Sequence, residues 1–360
     1  MDPIAHTFTG AALAAAGLRR ATPLATAALV IGANVPDVDI VASFAGDYAG
    51  LAFRRGWTHG VLVLSLLPFL IAGALLAWQR LFQPSGERAR AGPLLAVAAL
   101  AVATHPTLDW LNNYGMRWLM PFDGRWFYGD ALFIIDPWVW LALGGVLFLR
   151  HSGQRSSAAL WGLFWVASTA LVVGTDEAPV GTKVLWAVVV AALLVARARR
   201  WTPTDGAFAV AAGAVALYMA AMVGASAAAR AEVREALAEQ GIATVERVMV
   251  GPTAGNPFRG TVVAATPDAY HIGEWRWLEE PRLALEPEPL PQRAGSAAAI
   301  DAAAATLPAR RFLTWSRFPY FEAESKGDGY VVRVRDARYH GTDRLVGPDV
   351  RLDRDLRPLP

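Results

Sequence analysis

Long apolar stretches alternate with short polar connections over the first two thirds of the chain. Six of these stretches lie at 61–79, 93–111, 132–149, 158–174, 184–196 and 207–229. Most approach the roughly 20 residues that a helix needs to cross the hydrocarbon core of a membrane. The fifth is short unless Lys183 and Arg197 extend their charged ends to the interface. The pattern predicts a mainly α, polytopic helical membrane domain with five or six transmembrane helices.

Two shorter apolar segments precede the long ones, at 4–18 and 22–34. They are joined at Arg19, Arg20 and Pro23, and each is too short for a full span. We therefore expect an N-terminal helical hairpin that dips into the membrane.

The pattern changes after residue 229, where apolar and polar positions begin to alternate. Segments 231–240 and 296–306 are typical of helices. Alternation predicts strands at 244–250, 260–265, 270–277, 312–318, 320–324 and 330–338. The last two flank the sequence LysGlyAspGly, which is a strong hairpin signal. The sequence thus predicts an integral-membrane metal-site domain over 1–229 and a small soluble α+β domain over 230–360.

Composition supports membrane insertion and narrows the possible partners. The chain is 54% hydrophobic and 18% charged, with a mean hydropathy of +0.32. Ordinary soluble chains are about 25% charged. The net charge of +2 is small and no basic stripe with interleaved aromatics occurs, so we expect no nucleic-acid partner. Cysteine is absent, which excludes thiolate metal ligands. The oligomeric state stays open.

The distribution of arginine in the connections predicts an orientation in the membrane. Arginines concentrate in every second connection, including those at 19–20, 80–90, 150–155 and 197–200. By the positive-inside rule these connections are cytoplasmic. The metal-site residues described next, and the C-terminal domain, would then lie on the extracytoplasmic side of the membrane.

Side chains that bind metals interrupt the apolar sequence at four places. They are His6, Asp37 with Asp39, His59, and His105 with Asp109. Ionisable residues at membrane depth are costly and usually mark function. The spacing of His105 and Asp109 places both on one helical face, where they can converge on one ion. The set predicts a site for one or two divalent cations.

Two of these places also have simpler interpretations. Asp37 and Asp39 follow a proline in a loop, so they suit a hard cation but also fit a solvated turn or a helix N-cap. Arg54 and Arg55 precede His59. They could bind a phosphate or carboxylate bidentately, or they could anchor a helix end at the membrane interface.

Further polar residues lie near the same helix ends. Asn112 and Asn113 could orient ligands or substrate, and Asp130 could orient the metal ligands by hydrogen-bonding to them. Asp136 lies inside an apolar stretch before Pro137. It is a further ligand, a hydrogen-bond partner for a ligating imidazole, or the N-cap of a helix, and we favour the last two.

The order of these motifs resembles a known family. ProAspValAsp, ArgGlyTrpThrHis, HisProThrLeuAsp with a following TyrGly, and IleIleAspPro succeed one another after an N-terminal histidine. Over roughly residues 1–140 the chain resembles bacterial membrane-bound metal-dependent hydrolases, also described as LexA-binding, inner membrane-associated hydrolases. The resemblance implies a hydrolase distantly similar to zinc-dependent phospholipase C enzymes. It implies metal-site roles for His6, Asp37, Asp39, His59, His105 and Asp109. The chain departs from that family at Arg54, where a histidine is common.

Two functions are consistent with the sequence. The first is a metal-dependent hydrolase acting on a phosphoester, with a membrane lipid or lipid-linked substrate. Three histidines with carboxylates favour zinc as the cofactor, with manganese or iron as alternatives. Asp37, Asp39, Arg55 and His59 are the candidate catalytic residues, and Arg54, Arg55, Asn112 and Asn113 the candidate substrate-binding residues. The second is a non-catalytic membrane scaffold or transporter with a structural metal or ion site.

Overall fold

The chain divides into two compact units. The computed structural model describes residues 1–83, 85–176, 178–242, 244–341 and 346–359. One unit comprises Met1–Val38, Arg55–Ser226 and Gly251–Pro257. The other comprises Asp39–Arg54, Ala227–Val250 and Phe258–Pro360. We call them the helical unit and the sheet unit.

Helices account for most of the chain up to residue 239. In order they are α1 (Pro3–Ala15), α2 (Ala25–Gly32), α3 (Ala49–Phe53), α4 (Val61–Phe82), α5 (Ala91–Trp110), α6 (Pro137–Val139), α7 (Gly145–His151), α8 (Arg155–Gly174), α9 (Val180–Ala198) and α10 (Asp205–Glu239). A wider π-helical turn, Trp140–Gly144, joins α6 to α7. Two more helices, α11 (Ala297–Ala304) and α12 (Leu307–Trp315), lie in the sheet unit.

The predicted polytopic helical architecture is confirmed. Six segments among the described residues are long and apolar enough to span a membrane: Ala25–Ala45, Val61–Phe82, Ala91–Trp110, Arg155–Gly174, Val180–Ala198 and Asp205–Glu239. Many of their large side chains face outward, among them Phe69 and Val166, which are 62% and 69% exposed. Such exposure is expected where the surrounding solvent is lipid.

One predicted span is shorter than its apolar sequence. The stretch 132–149 becomes helical only at Pro137, because Asp136 caps the helix there and proline fits its first turn. The helix then ends at His151. The second segment of the predicted hairpin, in contrast, is longer than expected. Residues Val35–Ala45, predicted as a loop, form a 3-10 helix, and together with α2 they give the candidate span Ala25–Ala45. The helix at the fifth predicted stretch, 184–196, extends beyond the apolar residues at both ends and runs from Val180 to Ala198.

The predicted N-terminal hairpin forms from α1 and α2, which pack closely on each other and on α5. A methyl group added at Gly10 would lie 2.5 Å from the carbonyl oxygen of Leu29, and one at Gly32 would lie 2.7 Å from the Ala101 side chain. Small residues therefore allow the three helix backbones to approach, as is common between membrane helices. This packing fixes the position of α5 against the hairpin.

The last membrane helix continues beyond its apolar part. We predicted a separate helix at 231–240, but α10 runs without interruption from Asp205 to Glu239. Residues 229–231 include no glycine or proline that would end a helix. The predicted domain boundary at 229/230 therefore falls inside α10, which begins in the helical unit and ends in the sheet unit.

The described residues form two sheets, which lie in the sheet unit except for the end of β1 and the start of β2, and the predicted α+β class is confirmed. The strands are β1 (Arg247–Thr253), β2 (Asn256–Ala265), β3 (Ala269–Arg276), β4 (Leu283–Leu285), β5 (Leu290–Pro291), β6 (Arg293–Ala294), β7 (Pro319–Lys326), β8 (Gly329–Asp336) and β9 (Asp349–Leu352). One sheet has the order β1-β2-β3-β4 with β5 paired to β3, and the other has the order β6-β7-β8-β9. The predicted hairpin is present, with Lys326 paired to Gly329.

The first sheet is buried on both faces. Val262 and Ala264 pack with Val233 and Leu237 from the end of α10. Their neighbour Val263 packs on the opposite side with Tyr270, Phe318 and Ala337. Alternate residues of a strand point to opposite faces, so one strand contributes to two cores.

One predicted strand is wrong. Residues 312–318 were expected to be extended, but 312–315 form the end of α12. The buried residues Ala309, Phe312 and Trp315 recur every three positions, which is a helical spacing. Pro308 at the start of the helix favours its first turn.

Candidate metal centre

Four side chains of the helical unit bring possible metal ligands together. One ligand atom each from Asp37, His59, His105 and Asp109 lies within 4.8 Å of the others. Asp37 follows α2, and His59 lies in the turn Trp57–His59 that leads into α4. His105 and Asp109 lie one turn apart on α5. The start of α4 and the end of α5 thus meet at one end of the helical unit, as the sequence predicted.

The two imidazoles face each other across the cluster. The Nε2 atoms of His59 and His105 are 3.0 Å apart. Oδ2 of Asp109 lies 3.2 Å from the first and 3.6 Å from the second. Oδ1 of Asp37 lies 3.9 Å and 4.0 Å from the same two nitrogens.

Neighbouring groups determine which imidazole nitrogen carries a proton. Nδ1 of His105 is 2.7 Å from the carbonyl oxygen of Ala33. A carbonyl can only accept, so Nδ1 of His105 donates and Nε2 of neutral His105 keeps its lone pair. Nδ1 of His59 is 2.9 Å from the hydroxyl of Thr58, which can accept in the same way. The lone pairs of two neutral Nε2 atoms would then point at one another.

The donor set fits a divalent cation. Zinc binds imidazole nitrogen and carboxylate oxygen at about 2.0–2.2 Å, so ligand atoms on one ion are about 3–4 Å apart. The observed separations from 3.0 to 4.0 Å are in this range. A cation between the two nitrogens would also remove the repulsion between their lone pairs. Nitrogen and oxygen donors without a thiolate suit zinc, manganese or iron.

Arg55 holds the carboxylate of Asp109 from outside the cluster. Its Nε and NH2 groups each lie 3.0 Å from a different oxygen of Asp109, which is a bidentate pair. The guanidinium also donates to Oδ1 of Asn112 at 2.8 Å and lies over the ring of Tyr114, 4.5 Å from its centre. Arg55 has a positive φ of 52° and is 2% exposed. Such strained, buried backbone is concentrated at functional sites.

His6 contacts the cluster without belonging to the four-residue group. Its Nε2 is 3.2 Å from Oδ1 of Asp109, and its ring stacks on that of His105 with 3.9 Å between the ring centres. The terminal ammonium of Met1 also ion-pairs with Oδ1 of Asp109. The structure therefore places His6 beside two of the candidate ligands, and its role as a metal ligand stays a prediction.

Comparison with known proteins identifies a family for this architecture. Residues 1–180, half of the chain, match the family described as YdjM inner membrane protein. The chain belongs to this family. It is also similar to an uncharacterized protein, YfhP of Bacillus subtilis (strain 168), with 24% identity over 137 residues. That match covers 38% of this chain and 40% of the relative, so the chain spans about two fifths of the relative's length. No solved structure matches the chain.

Family membership and the six candidate spans together describe a multi-pass inner membrane protein. The matched region, residues 1–180, contains all four residues of the cluster. The family description names a location and no reaction, so the hydrolase activity implied by the resemblance is a proposal.

Two predicted metal or substrate residues contact each other in the sheet unit. The carboxylate of Asp39 accepts from Nε of Arg54 at 3.3 Å. The Asp39 side chain is fully buried and that of Arg54 is 26% exposed. Asp39 is not among the four residues whose ligand atoms meet. Its metal role and the substrate role of Arg54 stay predictions.

The remaining polar candidates lie just after α5. Asn112 is fully buried, and its Oδ1 accepts from Arg55 and from the backbone N–H of Tyr114. Asn113 is the next residue in the same turn. Asp130 is 3% exposed, and the residues on either side of it donate backbone hydrogen bonds to the carbonyls of Trp110 and Leu111. These bonds satisfy carbonyls at the end of α5 and bring Asp130 to the end that carries Asp109.

Asp136 is a helix cap. Its Oδ1 accepts from the N–H groups of Trp138 and Val139, both at 3.0 Å, and its Oδ2 accepts from the hydroxyl of Tyr218 at 2.9 Å. Of the three roles considered from the sequence, this geometry matches the N-cap.

Sequence reasoning missed several groups that orient the ligands. The Ala33 carbonyl and the Thr58 hydroxyl fix the imidazoles, and Tyr114 covers Arg55. Ala33 is apolar by residue type, so no sequence pattern marks its carbonyl. Thr58 and Tyr114 belong to the ArgGlyTrpThrHis and TyrGly motifs, but the motifs alone assigned them no role.

Proposed function

We propose that this protein is a membrane-embedded metal-dependent hydrolase that acts on a phosphoester in a lipid or lipid-linked substrate. The observation that supports this most is the buried pair of imidazole Nε2 atoms 3.0 Å apart, with a carboxylate oxygen of Asp109 beside both. Zinc is the favoured cofactor, with manganese or iron as alternatives.

His59, His105, Asp109 and Asp37 would hold the cation, and His6 would complete the set. When bound, such a cation lowers the pKa of a water toward about 7 and polarises a phosphoryl oxygen. Ala33 and Thr58 orient the imidazoles so that Nε2 of each points into the cluster. Arg55 orients Asp109 by pairing with both of its oxygens.

One side of the cluster is accessible, which favours catalysis over a closed structural site. The side chains of His59, His105 and Asp109 are fully buried, whereas that of Asp37 is 15% exposed. A catalytic metal site keeps an open position, and a structural site does not. We propose that substrate reaches the cluster from the side of Asp37. Asp37 would act as general base if it is not bound to the cation.

The substrate contacts proposed for arginine differ between the two residues. The guanidinium of Arg55 is already hydrogen-bonded to Asp109 and Asn112. Arg55 would therefore act on a negatively charged substrate by its positive charge at a distance, without direct contact. Arg54 is more accessible and pairs with Asp39 in the sheet unit, so its phosphate-binding role stays a prediction from the sequence.

The bidentate pair of Arg55 and Asp109 also favours the second function, a scaffold or transporter with a structural metal or ion site. A carboxylate that is already neutralised can serve as part of a buried polar network without catalysis. Turnover distinguishes this function from the first, because both require the same ligands.

The test is metal content and phosphoester hydrolysis by the detergent-purified full-length protein. We expect one or two equivalents of zinc, manganese or iron in the wild type, and loss of both metal and hydrolysis in His105→Ala. His151→Ala is the matched control, because His151 ends α7 outside the cluster. Metal that is retained without turnover on any phosphoester, amide or ester would support the structural function. Protein purified without chelators and found metal-free would refute the mechanism.

The proposed extracytoplasmic location can be tested because the chain has no cysteine. Ser85→Cys would lie in the α4–α5 connection and Ser325→Cys in the sheet unit, both at exposed positions. Four of the six candidate spans lie between these two positions, so opposite sides also require residues 137–151 to cross the membrane, as the predicted orientation has it. In intact cells we then expect a membrane-impermeant maleimide to label the second and not the first, because arginine-rich connections stay cytoplasmic. The reverse pattern would place the sheet unit in the cytoplasm.

A further inference from the structure

An apolar groove runs along the outside of the helical unit between α7, α8 and α9. Its volume is about 730 Å³. The α8 residues that line it extend from Ala158 to Val173 along one helical stripe. At 1.5 Å per residue this is about 22 Å, longer than the roughly 15 Å of hydrocarbon in one membrane leaflet. The groove is therefore long enough for an acyl chain.

One end of the groove is cationic. Arg197 of α9 and Ser152 after α7 line this end. The guanidinium of Arg197 donates from Nε to the hydroxyl of Ser152 and from NH2 to its carbonyl, both at 2.6 Å. These two bonds fix a positive charge at the mouth of an otherwise apolar groove.

Three further arginines carry positive charge near this end, and one of them, Arg150, precedes Ser152 by two residues. Arg19, Arg20 and Arg150 all pair with Asp205, at 2.8, 2.6 and 3.4 Å. Three guanidinium groups thus share one carboxylate, and Arg197 bonds to the uncharged Ser152, which leaves an excess of positive charge. Exposed arginines are common at membrane interfaces, but a surplus beside a groove fits an anion that carries an apolar chain.

The groove also contains a polar group that lacks a partner. Trp165 lines the groove and is 4% exposed, and its indole Nε1–H has no acceptor among the described residues. A buried N–H without an acceptor is costly. This nitrogen is enclosed by the protein, so it adds polarity to the wall of the groove and does not by itself select the occupant.

We propose that this groove binds one anionic phospholipid, with an acyl chain along α8 and its phosphate facing Arg197 within the field of Arg19, Arg20 and Arg150. The site is separate from the candidate metal centre, since His6 lies near the start of α1 and Arg19 follows its end. The proposal does not depend on hydrolase activity.

The experiment measures lipid binding to delipidated full-length protein in detergent, by retained lipid and by thermal stabilisation. The probes are phosphatidylglycerol, phosphatidylcholine with the same chains, and inorganic phosphate. We expect phosphatidylglycerol to bind more tightly than phosphatidylcholine, and phosphate alone to give no stabilisation. One arginine beside an anionic lipid contributes about 1 kcal/mol, or about fivefold in affinity. Arg197→Gln should therefore weaken phosphatidylglycerol about fivefold. It should weaken phosphatidylcholine less, because choline cancels the charge of that lipid's phosphate. Arg20→Gln, at a side chain 72% exposed, should act in the same direction without disturbing the fold.

Two leucine substitutions test the groove itself. A side chain added at Gly162 meets nothing within 4 Å, so Gly162→Leu should fill the groove and abolish retention of both lipids. Gly73→Leu on α4 is the matched control, because that glycine is equally open and lies outside the groove. Equal binding of the two lipids, stabilisation by phosphate alone, or wild-type retention in Gly162→Leu would each overturn the proposal.

Discussion

Asp109→Asn is the substitution that should affect the candidate metal centre most. The carboxylate is fully buried, contacts the imidazoles of His6, His59 and His105, and accepts two bonds from Arg55. Asparagine has nearly the same shape but no charge. The substitution therefore removes the negative charge that balances a buried guanidinium, and it replaces one of the four candidate ligands.

The expected loss of stability is large because Arg55 stays buried. Removing one partner of a buried ion pair costs about 3–5 kcal/mol. At roughly 2–4 °C per kcal/mol for a unit of this size, the unfolding midpoint should fall by about 6–20 °C. Asp136→Asn is the matched control. Asp136 is also buried, but it caps a helix, and asparagine caps as well as aspartate. Its amide can donate to the Tyr218 hydroxyl, which now donates to Asp136, so the cost should be below about 1 kcal/mol.

The assay is thermal unfolding of the detergent-purified protein, with metal content measured on the same samples. Asp109→Asn should lose both metal and stability, while Asp136→Asn should keep both. A midpoint within 2 °C of the wild type together with full metal content would refute the assignment of Asp109 as ligand and as partner of Arg55. Metal loss without destabilisation would show that another anion balances Arg55.

Two further predictions concern the turn before α4 and the sheet unit. A methyl group added at Gly60 would overlap the carbonyl oxygen of Met120, so Gly60→Ala should displace His59 and reduce the metal content. Gly73→Ala is the control, because a methyl group there meets open space. Equal metal content in both variants would contradict the placement of His59. In the sheet unit, burial of Asp336 opposes its ionisation, but the Arg338 guanidinium and several hydrogen bonds lower its pKa to about 2. The folded-state pKa of Asp336 lies below the unfolded value of 3.8, so its ionised carboxylate stabilises the folded sheet unit above about pH 4, by about 2 kcal/mol. This stabilisation is lost as the pH falls toward 2. Hydrogen exchange of the sheet unit should show this loss in the wild type and not in Asp336→Asn, and identical pH profiles would contradict it.

The sequence predicted most helices because membrane insertion requires long apolar segments. Where it was wrong, a local contact decided the outcome. The third span is shortened because Asp136 caps a helix at Pro137, and α10 continues past residue 229 because no residue stops it. Residues 312–315 are helical because Phe312 and Trp315 are buried on one helical face, although alternation over so short a stretch also fits a strand.

For the candidate site, the sequence identified the ligand types and their order. The cost of burying ionisable groups in an apolar sequence was enough to single out His59, His105 and Asp109. It could not distinguish Asp37 from Asp39, since both carboxylates occur in one short motif. The structure places Asp37 with the imidazoles and pairs Asp39 with Arg54.

The sequence by itself determined that this is a multi-span helical membrane protein with a small α+β unit and a polar cluster near its N-terminus. These features follow from apolar length and from residue chemistry, which are local properties. Only the tertiary structure decided which donors converge, that Arg55 pairs with Asp109, and that the Ala33 carbonyl fixes the tautomer of His105. Those contacts join residues far apart in the chain, and their distances depend on how α2, α4 and α5 pack, which no local pattern encodes.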